Sequence, residues 1–341
     1  MAGFVTPAQC YDVVSLGDVV TDQFIRLPTD SVKARSDDRG RWIEIPLGAK
    51  LILDDDPPAV SGGSAANTSA AMARLGLRVG LASFVAHDQI GVDILNSLRA
   101  EDVDTGLVHV DAPPHTIRNF VLSYGGERTV LVRHADFNYR WPGFRANDVP
   151  AWLYVSSLGP DALEYLDEVA DWLDAHPAVH LAFQPGTFQI ESGVKRLARL
   201  YTRADVLLCS HLGAAAIVGD GHDAMVTLDS LLALGPRRVV VYDDAGGAIA
   251  AELTQRLRVA PFPDTEAPVD RTGAGDAFAA TVVAALIHGR SLSDALSWAP
   301  VNFMCVSHQL GAQAGLLREG ELTNLLQGSD PPFHAESVAR D

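Results

Sequence analysis

Short apolar runs and helical patterns take turns along most of the chain. Residues 11–18 (YDVVSLGD), 79–85 (VGLASFV), 151–159 (AWLYVSSLG), 179–186 (VHLAFQPG), 204–211 (ADVLLCSH) and 237–244 (RRVVVYDD) read as strands, rich in Val and Leu and bounded by turn formers. Between them, 65–75, 88–100, 162–175 and 223–234 carry the wider apolar spacing of helices. Such alternation predicts an α/β protein, a doubly wound, mostly parallel sheet with helices on both faces. Two segments break the rhythm. Residues 24–60 hold charged turns and the strand-like RWIEIPL and AKLILDDD, and residues 114–134 read as a hairpin around Gly125-Gly126. Either both are ordinary surface insertions, or together they form a small β lid over the strand ends. The last stretch, residues 331–341, reads as a loose tail.

Composition narrows the class. At 341 residues and 48% hydrophobic, the chain buries a full core without staples. Its three cysteines are odd in number and far apart, which speaks against a disulfide framework and for a reducing, cytoplasmic setting. The start lacks a basic and apolar leader pattern, and no apolar stretch is long enough to span a bilayer, so neither export nor membrane insertion is expected. A formal charge of −17 opposes a nucleic-acid backbone. Any polyanionic small molecule must therefore meet local amides and metal ions that offset the global field.

The strongest local pattern is VDRTGAGDAFAATVVAALIHG, residues 269–289, a helix closed by Gly289 whose N-terminal edge carries Gly273, Ala274 and Gly275. Unpaired amides and the positive end of the helix dipole make that edge an anion site, and small residues allow close approach. Asp276 in the same place has two possible jobs. It caps the helix, or it is a general base that holds a substrate hydroxyl while a phosphoryl group arrives. A P-loop is absent, the third glycine of a dinucleotide fingerprint is missing, and no His/Cys spacing suits zinc. A second motif, SGGSAANTSAAMARLG (61–76), opens another helix with Gly62 and Gly63, which permit a close backbone, and with Asn67 in the first turn. By itself it reads first as a Gly-rich connection with a turn asparagine. Asp22 follows the first strand, where open α/β sheets bind ligands.

Taken together, GGSAANTSAAMARLG with AHDQIGVDIL, then DRTGAGDAFAA and the terminal LGAQAGL, resemble the ribokinase-like, or PfkB, family of carbohydrate and nucleoside kinases over residues 11–317. The resemblance implies one ribokinase-like three-layer domain over residues 1–330, with the two lid segments inserted and a homodimer formed through the lid. It also implies transfer of the ATP γ-phosphoryl group, with Mg²⁺, to a hydroxymethyl oxygen of a sugar or nucleoside. Asp276 would be the base and the amides of Gly273, Ala274 and Gly275 the anion hole. Asp22, Gly62, Gly63 and Asn67 would hold the acceptor, Ser210, Asp244 and Gly247 would face the nucleotide, and Asp270 would lie near a K⁺ site.

Several positions depart from that family's pattern. Where many members carry N-x-x-E, this chain has Ser210-His211-Leu212-Gly213, and where T-x-G is usual it has Tyr242-Asp243-Asp244. Ala86 replaces a frequent glycine, Ser64 a frequent lysine and Val20 a frequent asparagine. These departures keep open an alternative, a noncatalytic ligand-binding or regulatory protein that retains the sugar pocket without competent ATP handling.

Overall fold

The computed structural model describes residues 11–338, apart from 38–39, 54–56, 112, 114, 126, 142, 146–147 and 222. Parts of several expectations therefore lie outside the described residues: residues 1–10 of the expected domain with Cys10 and the start of the chain, 38–39 of the first lid segment, Pro114 at the start of the second, Gly126 of the hairpin turn, 54–56 of AKLILDDD, and 339–341 of the tail.

Six strands run parallel in the central sheet, in the spatial order Val79–Ala82, Val13–Leu16, Trp152–Val155, His180–Phe183, Val206–Ser210 and Arg238–Tyr242. Three antiparallel strands extend it: Ala248–Glu252, Arg256–Val259 and Glu336–Ser337. Because parallel strands are covered on both faces, their residues are apolar almost without alternation: Val13–Leu16, Trp152–Val155 and Val79–Ala82 are buried throughout. Two cores result. Helices Ser64–Arg74, Gln89–Ala100, Ala274–Ile287 and Leu292–Ser307 close one face. Leu163–Ala175, Ala198–Arg203 and Ala224–Leu232 close the other. The three-layer α/β expectation is met.

The helix Ala274–Ile287 is apolar all round, and residues 277–285 are buried without a break, as befits a helix enclosed by neighbours on every side. Its depth fixes the position of its N-terminus, the most consequential point in the molecule.

The lid is a four-stranded sheet ordered Glu127–Arg133, Arg118–Tyr124, Val20–Arg26 and Val60–Gly62. The chain leaves the central sheet after Leu16 and enters the lid at Val20, so the lid begins four residues before the expected boundary at 24. Within 24–60, RWIEIPL contributes strand Gly40–Glu44 to a separate hairpin with Lys33–Asp37. AKLILDDD forms no strand over 49–53: Ile52 is 85% exposed, and the run finds no sheet edge to pair with.

Two further corrections concern continuity. VGLASFV is two strands, Val79–Ala82 and Phe84–Ala86, because the second pairs with His109–Asp111 away from the main sheet. The expected tail is docked through residue 338. Glu336 and Ser337 pair with Arg258 and Leu257, Ala335 is buried and donates its N–H to Ser297 Oγ at 2.9 Å, and the ring of Phe333 meets that of Phe262. Among the described residues no helix is long and apolar enough to cross a membrane.

Candidate active site

Gly273 opens the central helix with a left-handed backbone, φ +75°, and a Cβ there would meet the Ala312 Cβ at 2.2 Å. Only glycine lets the loop turn so close to residue 312. The turn spends one amide, since Ala274 N donates to Arg271 O at 3.2 Å. Ala274 is thereby removed from the expected anion hole. The amides of Gly273, Gly275 and Asp276 meet no protein acceptor among the described residues, and they stand at the positive end of a 14-residue helix.

Asp276 does not cap this helix. No side-chain cap bond is made, and the carboxylate instead accepts from Asn67 Nδ2 at 2.8 Å and from Gln184 Nε2 at 3.2 Å. Asn67 is fixed from behind, its Oδ1 accepting from Gln313 Nε2 at 3.2 Å. Gln184 is fixed in turn by Tyr154, whose hydroxyl donates to Gln184 Oε1 at 2.6 Å, and it also donates to Tyr242 Oη at 3.1 Å. Burial pushes the Asp276 carboxyl above the usual range, while hydrogen bonds from Asn67, Ser64 and Gln184 and the charge of Arg128 pull the other way. The half-buried side chain lines a cleft of about 810 Å³ between the lid and the strand ends.

Asp22 is 5% exposed, on the lid strand that faces this cleft. Asn119 Nδ2 donates to its Oδ1 at 2.9 Å, and a Cβ on Gly62 would lie 2.3 Å from its Oδ2, so Gly62 is needed where it stands. Burial raises the Asp22 carboxyl, Asn119 opposes that, and the charges of Asp270 and Asp276 raise it further. Gly63, φ +88°, starts the helix that carries Asn67, and a Cβ there would meet the Asp18 carbonyl at 2.7 Å. Beside these groups, Ser61 Oγ and Asn119 Oδ1 are buried without a partner among the described residues.

The opposite wall is formed by Ser210, Tyr242, Asp243 and Asp244. Ser210 caps helix His211–Val218, its Oγ accepting from Gly213 N at 3.1 Å. Asp243 Oδ1 accepts from Ala245 N and Gly247 N at 2.8 and 3.0 Å. Gly247 is therefore buried with its amide committed to the turn, and it does not face the cleft as expected. Asp244 is exposed and takes no hydrogen bond or ion pair from the described residues. Asp270 is braced: its oxygens accept from Thr272 N, Thr272 Oγ1 and Gly311 N at 3.0, 2.7 and 3.1 Å, tying the glycine loop to the 310–313 loop.

The expected residues thus divide. Asp276, Gly273 and Gly275 line the cleft; Asn67 is hydrogen-bonded to Asp276, Gly62 packs against Asp22, and Gly63 opens the helix that carries Asn67. Ser210 and Asp244 face them across the cleft, Asp270 braces the loop, and Ala274 and Gly247 are withdrawn. Gln184, Asn119 and Arg128 were not singled out by the sequence reading. For Gln184 a signal exists, a polar residue directly after an apolar strand at the carboxyl edge of a parallel sheet.

The family model for pfkB family carbohydrate kinases matches residues 50–317. The chain belongs to the PfkB family. This PfkB protein is 26% identical to the ribokinase of Bacillus subtilis over 82% of its own length and 92% of the relative's. It is 29% identical to an ATP-dependent ribose-1-phosphate kinase of Halopiger xanaduensis over 70% of its own length and 77% of the relative's. Its fold is that of Arabidopsis thaliana ribokinase solved with ribose and ATP, with TM-score 0.76, 17% identity, and 94% and 100% of the two chains covered. The ribokinase-like fold and membership among carbohydrate kinases follow, while the acceptor differs even between the two curated relatives.

Proposed function

We infer that the protein transfers the γ-phosphoryl group of Mg·ATP to the hydroxymethyl oxygen of a small sugar or nucleoside, with Asp276 as general base. One observation carries this reading. The Asp276 carboxylate turns away from capping its own helix and is held by Asn67 and Gln184 beside the unpaired amides of Gly273 and Gly275. In that position it would take the acceptor's hydroxyl proton as oxygen bonds to phosphorus and the bond to the ADP oxygen breaks. The two amides would meet the negative charge that gathers on the transferred group. A raised carboxyl holds the abstracted proton more firmly than an exposed aspartate would. Asp22, Asn119 and the Gly62–Gly63 backbone would hold the remaining hydroxyls, the Asn119–Asp22 hydrogen bond keeping both side chains in place.

Asp244, with Ser210 beside the cleft, would face the nucleotide. An exposed, unpartnered carboxylate suits a hydrated Mg²⁺, which when bound neutralises the triphosphate charge. Asp270 would sit next to a K⁺ ion, its main duty being the loop it braces. A lid with exposed Val130, Leu131 and Val132 on an edge strand suits pairing with a second copy.

The test is ADP release with Mg²⁺, in K⁺ and in Na⁺ buffers, across pentoses, hexoses, sugar acids, sugar phosphates and nucleosides. Acceptor-dependent ADP release supports the reading. Calorimetry showing sugar binding with no Mg·ATP binding would favour the noncatalytic alternative, which the missing carboxylate over residues 210–213 motivates.

A further inference from the structure

The cleft holds positive charge that the chemistry above does not use. In the lid sheet Arg26 lies opposite Ser123, and Ser123 lies opposite Arg128 on the next strand. Directly opposed residues project to one face, and along a strand every second residue shares it. Arg26 and Arg128 therefore share the face of Asp22 and Phe24. That face runs from the Asp22–Asn119 pair, through the buried side chains of Phe24 and Val121, to Arg26, Ser123 and Arg128. Phe24, Arg26, Ser123 and Arg128 all line the cleft into which Asp276 opens.

Arg128 is exposed, and no carboxylate among the described residues reaches ion-pair distance of it, yet its charge acts on both Asp22 and Asp276. Elsewhere on this acidic surface Arg74, Arg140, Arg196 and Arg238 each hold an acidic partner. A guanidinium kept within electrostatic reach of two carboxylates, and bound to neither, is a fork of donors waiting for an oxyanion. The step from Asp22 to Arg26 is four residues, about 13 Å at ~3.3 Å per residue, a span that a sugar with a terminal anion and the arm of an arginine fill together.

The geometry points to an acceptor that carries an oxyanion, phosphate or carboxylate, held by Arg128 with Arg26 beside it at the end remote from the reacting hydroxyl. This rests on the kinase reading and names its substrate class. A neutral sugar would leave Arg128 unengaged, whereas for an anionic one Arg128 would locally offset the repulsion from a protein of charge −17.

Wild type, Arg128→Gln and Arg128→Lys are compared by steady-state ADP release and by calorimetry, with neutral sugars and nucleosides, sugar phosphates and sugar acids as separate arms. Because Arg128 is exposed, neither change threatens the fold. The expected result is an anionic sugar as the preferred acceptor, its KM and Kd raised about 10- to 100-fold in Arg128→Gln, the worth of a charge-assisted hydrogen bond, with partial rescue in Arg128→Lys. The KM for Mg·ATP shifts by less than about twofold, since the donor's phosphates are met elsewhere. The phosphate and acid arms tell the two oxyanions apart. A wild type that prefers a neutral acceptor overturns the inference, as does an Arg128→Gln variant whose KM rises for Mg·ATP in place of the acceptor. Anionic sugars that bind through Arg128 without being phosphorylated would leave the anion site standing and remove the kinase reading. Neutral sugars that react while anionic ones neither bind nor react would do the reverse.

Discussion

Asp18 shows what burial does to a carboxyl that the proposed chemistry leaves alone. It ends the turn after the first strand, its oxygens accepting from Tyr139 Oη at 2.9 Å and from Gly159 N at 2.7 Å, and burial pushes it up to about 7 in spite of those bonds. In the unfolded chain the same carboxyl loses its proton near 3.8. Between those values the native state binds more protons than the unfolded one, so this group's contribution to stability falls as pH rises from about 4 to 7, by up to about 4 kcal/mol. Asp18→Asn cannot titrate. Urea unfolding across that window should show the wild type losing stability relative to the variant as pH rises, and a flat difference would contradict the assignment. Gly273 is the second residue-scale test. In Gly273→Ala the φ of +75° and the clash with Ala312 act together, and phosphoryl transfer should fall by 10-fold or more with a Tm lowered by several degrees, about 1–3 kcal/mol of strain. Steady-state kinetics and thermal melts read both.

At the scale of elements, legibility followed burial. The strands Val13–Leu16, Trp152–Val155 and Val206–Ser210 were visible because both faces are covered and their residues are apolar in succession. The lid strand Val20–Arg26 was missed because its cleft-facing register carries Asp22 and Arg26, which breaks the apolar alternation where the site needs charge. The same holds in the pocket. Asp276, Asn67 and Asp22 stood out through their motifs, whereas Asn119 and Arg128 come from strands that only folding places opposite Asp22 and level with Arg26. The bond from Ala274 N to Arg271 O is made within the glycine-rich turn itself, which spacing does not reveal. The terminal strand Glu336–Ser337, two exposed residues long, carries no periodicity at all. It nevertheless closes the sheet edge and buries Ala335. Ending the chain after Pro332 should cost about 1–3 kcal/mol in urea unfolding through lost burial and edge pairing, and unchanged stability would return those residues to the status of a tail.

Across the whole molecule, the parallel sheet brings Gln184, Ser210 and Tyr242 to one edge, and the lid sheet stands over it, so the cleft is made by two sheets that neither builds alone. The edge strand of the lid carries the exposed Val130, Leu131 and Val132 of the proposed dimer. If that surface pairs two copies, Leu131→Lys should shift sedimentation equilibrium toward monomer by 10-fold or more in Kd, as burying an unpaired charge requires. A wild type that is monomeric at high concentration would refute it. The proposed phosphoryl transfer turns on Asp276 as the proton acceptor. Its most direct test is rapid-quench single-turnover phosphoryl transfer from Mg·ATP to the preferred acceptor, comparing wild type with Asp276→Asn. The expected result is a rate lower by ~10² or more with acceptor Kd little changed. A variant that transfers the phosphoryl group at the wild-type rate would contradict it.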